Sequence, residues 1–185
     1  FTLREDAFWS DGTPISADDV VYGLRRPLDP LTGNQFAAPL LMIVNAQEIY
    51  EGRAPVDTLG VRAVDPRTVE LTLNYPAPYL PTVLMYYGQP VPQHAVEAHG
   101  DRWVRPENIV TSGAYTLVEW RSNDYIHLAA NPYFYDAAEI CLTDIYYYPT
   151  VNTAAAERRV RTGELDLNVD FASSNTAFLL EHNPE

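Results

Sequence analysis

Lysine is missing from this sequence altogether, and cysteine occurs once. Without a lysine amine there is no Walker-type phosphate loop, no Schiff-base catalysis and no Ser-Lys dyad. Positive charge of any kind is scarce: 12 basic residues, all Arg, face 25 Asp and Glu, for a formal net charge of −13. Such a surface repels phosphate backbones, which argues against nucleic acid and against an anionic membrane face as partners. Cys141 alone allows neither an internal disulfide nor a thiolate metal cluster, and within "EICLTDIYYY" it reads as a small buried hydrophobe. No apolar run approaches the roughly 20 residues of a membrane-spanning helix. The opening "FTLREDAFWSDGTPISADDVVYGLRRPLDP" has no initiator Met and no basic-then-apolar leader, so no signal peptide is expected within the chain.

What is present is a mixed α/β pattern. "FTLR" alternates as a short strand, "SDG" at residues 10–12 is a turn, and Ser16 caps a helix whose first turn carries Asp18 and Asp19 and whose apolar stripe is Val20, Val21 and Leu24. A second helix is expected from about Ala37 to Tyr50, stopping at Gly52. "LGVRAVDPRTVELTLNYP" then reads as two strands around a turn at residues 65–67, and "APYLPTVLMYYGQPVP" and "QHAVEAHGDRW" as short helices. "GAYTLVEWRSNDYIHLAANPYF" is a hairpin turning at "RSND". Last come a strand in "ICLTDIYYYP", a helix near residues 152–161 and a strand in "GELDLNVD".

The pattern shifts at "NPYFYDAAE", residues 131–139. The block before it can close a core; the block after it, two strands and a helix, is too small to do so alone. A strand such as "CLTDIYYY" left without a neighbour invites self-association by edge pairing with a second copy.

The stretches "FTLREDAFWSDGTPISADDVVYGLRR", "PVPQHAVEAHGDRWVRPENIVTSGAY" and "RVRTGELDLNV", in this order, resemble the peptide-binding receptors of ABC importers, nearest to the oligopeptide-binding type. The resemblance runs over essentially the whole chain. It implies a periplasmic-binding-protein-like class II fold, with the small α/β (α+β) second lobe at residues 1–135 and an incomplete strand-helix-strand part of the first lobe at 136–185. It further implies a non-catalytic receptor, periplasmic or lipid-anchored outside the cell, that captures oligopeptides and passes them to the permease subunits of the importer. A third lobe, which in such receptors meets the peptide's amino terminus with an acidic residue, has no counterpart here. Trp9 and the Asp11-Gly12 turn are then architecture rather than ligand contacts.

In receptors of this type the peptide lies extended between lobes, held through its main chain. Phe36 falls where relatives carry an aromatic facing the cleft, often Tyr; as Phe it keeps apolar contact and loses the hydroxyl. Phe36 reads equally as a core residue opening the second helix. Tyr86 and Tyr87 in "MYYGQP" match the cleft rim, one of the two being expected to point into the core. Asn34 and Gln35 join the candidates through proximity to Phe36.

Competing chemistry finds little support in the spacing. Adjacent Asp18 and Asp19 point about 100° apart on a helix and are explained by the cap. His94 and His99 are five apart rather than four and lack a third ligand, so neither a metal nor a cofactor is expected. The alternative of a different class is a carboxylate-dependent hydrolase domain using Glu119, Asp124 and Asp144. It would need two carboxyl groups focused in one pocket with separated pKa values.

Overall fold

The computed structural model describes residues 1–34, 36–170 and 173–182. Its first helix, α1 (Ala17–Arg25), begins where the sequence places a cap. Ser16 Oγ accepts the Asp19 N–H at 3.2 Å while Asp19 Oδ2 accepts the Ser16 N–H at 2.9 Å, a capping box that satisfies donors the helix itself cannot. The same Oδ2 accepts the indole N–H of Trp9 at 3.3 Å, and both side chains are buried. Ahead of the cap, the Gly12 N–H donates to Trp9 O at 2.9 Å with Gly12 at φ +85°, a conformation glycine enters without steric cost. Asp11 Oδ1 closes the turn by accepting the Thr13 N–H and hydroxyl at 2.9 and 2.7 Å.

Helix α1 lies across an antiparallel hairpin, β1 (Val61–Asp65) and β2 (Thr68–Leu71), with Val61 opposite Leu71 and Ala63 opposite Val69. Residues 1–3 run along the other edge of β2, where Phe1 O accepts from Val69 N–H at 2.9 Å and Arg67 O from Leu3 N–H at 2.7 Å. Leu24, Leu28, Leu40, Ile43, Ile49 and Val69 are fully buried at the centre of this layer. Each such side chain contributes roughly 1.5 to 3 kcal/mol through removal from water.

The single helix expected from Ala37 to Tyr50 is not formed. Residues 38–40 make one 3₁₀ turn, Asn45 takes a left-handed φ of 65°, and only Ala46–Tyr50 is helical (α2). The competing structure is long-range: Ile43 bridges Leu73, Val44 N–H donates to Thr72 O and Asn74 N–H to Met42 O, both at 2.9 Å. Sheet pairing thus draws residues 42–44 out of helical conformation, and Pro39 has no N–H to give a longer helix. Gly52, at φ 72°, does end α2.

Helices α3 (Leu80–Tyr87) and α4 (Gln93–His99) follow, then the hairpin β3 (Tyr115–Arg121) and β4 (Tyr125–Ala130), turning through Asn123 at φ 62°. Strand β5 (Asp144–Tyr147) joins β4, giving the order β3-β4-β5. The "CLTDIYYY" strand is therefore not an orphan; among the described strands it lies at the edge, beside β4. Cys141, three residues ahead of β5, is exposed rather than buried, because the strand that would have buried it starts only at Asp144. After α5 (Thr153–Arg161), no strand forms in residues 163–170 and a further helix, α6 (Thr176–His182), follows the described 3₁₀ turn Ser173–Asn175. Leu167 and Val169 stand exposed there, since alternation alone does not make a strand without a neighbour to pair with.

The chain divides into two units, Phe1–Glu119 with Leu128–Ile145, and Trp120–His127 with Tyr146–Glu185, so that the division falls inside β3, β4 and β5. Ala156 and Glu157 are the buried residues of the second unit among those described.

Trp9→Ala should lower the unfolding free energy by about 3 to 5 kcal/mol, as loss of a buried large ring does. Trp9→Phe, which keeps most of the ring but removes the donor to Asp19, should cost about 1 to 2 kcal/mol. Gly12→Val should also destabilise, because its Cβ would lie 3.0 Å from Tyr133 Cζ at a positive φ. Urea unfolding of the three variants checks the order.

Candidate ligand-binding site

Helix α3 starts with Pro81 in its first turn, a position that needs no N–H, and ends where Gly88 N–H donates to Leu84 O at 2.8 Å. One face covers a pocket of about 320 Å³ whose lining side chains, Val20, Leu24, Leu71, Pro81 and Leu84 among them, are apolar. The other face presents Met85 and Tyr86 to solvent, with Tyr87 beside them. The helix contacts the 3₁₀ turn Ala38–Leu40, which begins two residues after Phe36, so the second candidate segment packs against the element that follows the first.

Phe36 is 76% exposed and is not part of the core. Tyr86 and Tyr87 are 69% and 39% exposed, so neither points into the core as one of them was expected to. The reason lies in α3: its buried contacts come from Leu80 and from Val83 and Leu84, which occupy the inward stripe and leave both tyrosines outside it. Asn34 Oδ1 accepts the Phe36 N–H at 2.8 Å, an Asx turn that fixes the backbone on which Phe36 is carried. Gln35 lies outside the described residues.

Tyr75 and Tyr79, which the sequence reading did not single out, extend the exposed aromatic surface at the start of α3. Their hydroxyls are 3.4 Å apart, and this hydrogen bond raises the Tyr79 pKa. The spacing "YPAPY" carried the signal, since prolines between two tyrosines keep both out of the helix and on the surface.

The "WSDG" turn is tied to its surroundings by polar contacts. His94 Nε2 of α4 stands 2.8 Å from Asp11 Oδ2, Ser10 N–H donates to Thr111 O at 2.7 Å, and Thr111 N–H donates to Ser10 Oγ at 3.0 Å. Partial burial pushes the Asp11 carboxyl up, but the hydrogen bonds from Thr13 and His94 outweigh it and hold it below the usual carboxylate range. Asp6 is held low by Arg4, Asp65 by the Arg67 N–H and Glu70 by Arg62. None of these is the raised carboxyl that a general acid requires. Glu119 is in β3, Asp124 in the β3–β4 turn and Asp144 at the start of β5, the last two exposed. Among the described residues no three His, Cys, Asp or Glu are placed to hold a metal ion.

The model of the bacterial extracellular solute-binding proteins, family 5, middle segment, matches residues 1–184. The chain belongs to this family. It is 41% identical over 170 residues to the periplasmic oligopeptide-binding protein OppA of Escherichia coli K12, an alignment covering 90% of this chain and 31% of that protein. It is 42% identical to the probable deoxycholate-binding periplasmic protein YgiS of the same organism, covering 90% and 32%. Among solved structures, OppA of Burkholderia pseudomallei superimposes with a TM-score of 0.92 at 35% identity, over 98% of this chain and 36% of that one. The chain thus has the periplasmic-binding-protein-like class II fold of its family and spans about a third of the length of the relatives it matches.

Within this family fold the Asp11 turn should behave as an acid-sensitive joint. A carboxyl with a lowered folded pKa stabilises above its ordinary value near ~3.9 and loses that contribution as pH falls through the folded value. Thermal unfolding should therefore show a midpoint that drops below about pH 4. Asp11→Asn should lower the midpoint at pH 7 and flatten the acid-side slope.

Proposed function

We propose that this chain is the ligand-facing small lobe, with part of the neighbouring lobe, of an oligopeptide receptor serving an ABC importer. In this reading residues 1–135 are the second lobe and 136–185 belong to the first. The carrying observation is the 41% identity to an oligopeptide-binding protein over 90% of the chain, together with aromatic side chains left in solvent on adjoining elements. A soluble lobe gains nothing from exposing Phe36, Tyr86 and Tyr87 together unless another surface or a ligand meets them. Aromatic faces accept varied side chains without selecting among them, and the backbone of an extended peptide supplies the directional hydrogen bonds. Phe36 and Tyr86 make apolar contact, Tyr87 adds a hydroxyl at the rim, and Asn34 holds Phe36 in place; Gln35, between them in sequence, is a further candidate contact.

The receptor is non-catalytic, acts in the periplasm or lipid-anchored outside the cell, and delivers its ligand to the membrane permease subunits. The edge of β5 that no described strand covers is where two copies would pair.

The test is isothermal titration with alanine tri- to pentapeptides, deoxycholate serving as the contrasting probe. The full-length receptor should bind the peptides and the isolated 185-residue chain should bind them weakly or not at all. A cleft gains affinity because both walls desolvate the ligand together, and one wall alone leaves water on the other side. Micromolar binding by the isolated chain would place a complete site within it, and binding of deoxycholate alone would replace peptide by an amphiphilic steroid as the ligand.

A further inference from the structure

Glycine in the interior of a helix is a poor helix former, so a buried one needs a reason. Gly23 sits inside α1 and is buried. A Cβ built at this position would lie 2.3 Å from Gln89 O and 3.2 Å from Val91 N, both backbone atoms of the segment that joins α3 to α4. That segment touches α1 at two further points. Asp19 O accepts the Val91 N–H at 3.1 Å, and Asp19 Oδ1 accepts the Gln93 N–H at 3.3 Å. At its other end, Gln89 Nε2 donates to Met85 O at 2.6 Å and Gly88 is packed against the Leu84 backbone, which couples the segment to the last turn of α3. Pro90 and Pro92 fix two of its φ angles and leave it few ways to relax.

We infer that Asp19 and Gly23 are positioning residues for ligand capture: by holding residues 88–93 on α1, they set where Tyr86 and Tyr87 stand at the end of α3. The inference rests on the reading of Tyr86 and Tyr87 as ligand contacts. Neither Asp19 nor Gly23 is exposed, so both act through the segment they hold. A Cβ at position 23 must push Gln89 outward, because the atom it meets is backbone and cannot rotate away. Loss of the Gln93 N–H releases the segment at its opposite end without touching the capping box. Gln93 is the first residue of α4, where proline is tolerated, so Gln93→Pro removes that donor and, with it, the exposed side-chain bond from Gln93 Nε2 to Glu97 Oε1.

The experiment is a double-mutant cycle on the full-length receptor, with trialanine and tetraalanine as probes and thermal unfolding as the control. Gly23→Ala and Gln93→Pro are each combined with Tyr86→Ala/Tyr87→Ala. Each single change should lower the melting temperature, leave the receptor folded at the temperature of the binding assay, and weaken binding about three- to tenfold. In the background lacking both tyrosines that loss should nearly vanish, because coupled residues are non-additive. Unchanged affinity in both variants overturns the inference, as does an equal loss in both backgrounds, which would mark a general effect on the fold. Should Gly23→Ala fail to fold, Gln93→Pro decides by the same criteria. If removing the two tyrosines leaves affinity intact, the reading of the site fails and this inference with it. Loss on removing the tyrosines with none on Gly23→Ala or Gln93→Pro refutes the positioning role alone.

Discussion

The Asp19 carboxylate is the constraint on which the layout of the first unit depends. It is 6% exposed and accepts from the Trp9 indole, from the Ser16 N–H and hydroxyl, and from the Gln93 N–H. A buried carboxylate without donors costs several kcal/mol, so it is tolerated only with its partners in place. Those partners come from the strand-to-helix turn, the helix cap and the start of α4, and in satisfying one anion they dock three segments at once. The "WSDG" turn, the capped helix and the "QPVPQ" segment are thus parts of a single polar joint, placed between the β1–β2 hairpin and the exposed end of α3.

How far this was legible in the sequence depended on the range of the interactions. The cap at Ser16 reads correctly because a capping box is complete within four residues, and the β1–β2 hairpin because its turn at Asp65 and its alternation are equally local. The long second helix fails because its rival, the pairing of Ile43 with Leu73, is 30 residues away and has no local signature. The strand expected in residues 163–170 fails for the opposite reason: its alternation is present but no described strand pairs with it. Of the candidate site, the aromatic positions were visible as unusual residues in loops. That both tyrosines lie outside the core was not, because which face of α3 turns inward is decided by the packing of Leu80, Val83 and Leu84. Asp19 could be read as a cap, but its bond to Gln93, 74 positions along the chain, could not.

The second unit has a different character. Few of its described residues are buried, and its surface carries ring contacts: His127 stacks on Tyr146 at 4.3 Å and 2°, Arg159 lies over Tyr148 at 4.8 Å, and Arg161 over Phe178 at 5.0 Å. Exposed cation–π contacts are worth about 0.5 to 1 kcal/mol each, so these order the surface more than they stabilise it. They also give the absence of lysine a structural meaning, because a planar guanidinium stacks on a ring as a compact ammonium does not.

The burial of Trp9 gives the polar joint an optical reporter. The chain has three tryptophans: Trp9 is 2% exposed, Trp103 is half-buried and Trp120 is 56% exposed. A soluble quencher therefore reaches Trp120 readily and Trp9 hardly at all, which separates their emission. Because the Trp9 indole shares its acceptor oxygen with the helix cap, and that carboxylate also holds Gln93, a strained or broken joint shifts and dequenches or quenches one identifiable fluorophore. Protein and reporter are the same molecule, and the segment behind the candidate site can be followed in solution without attaching a dye.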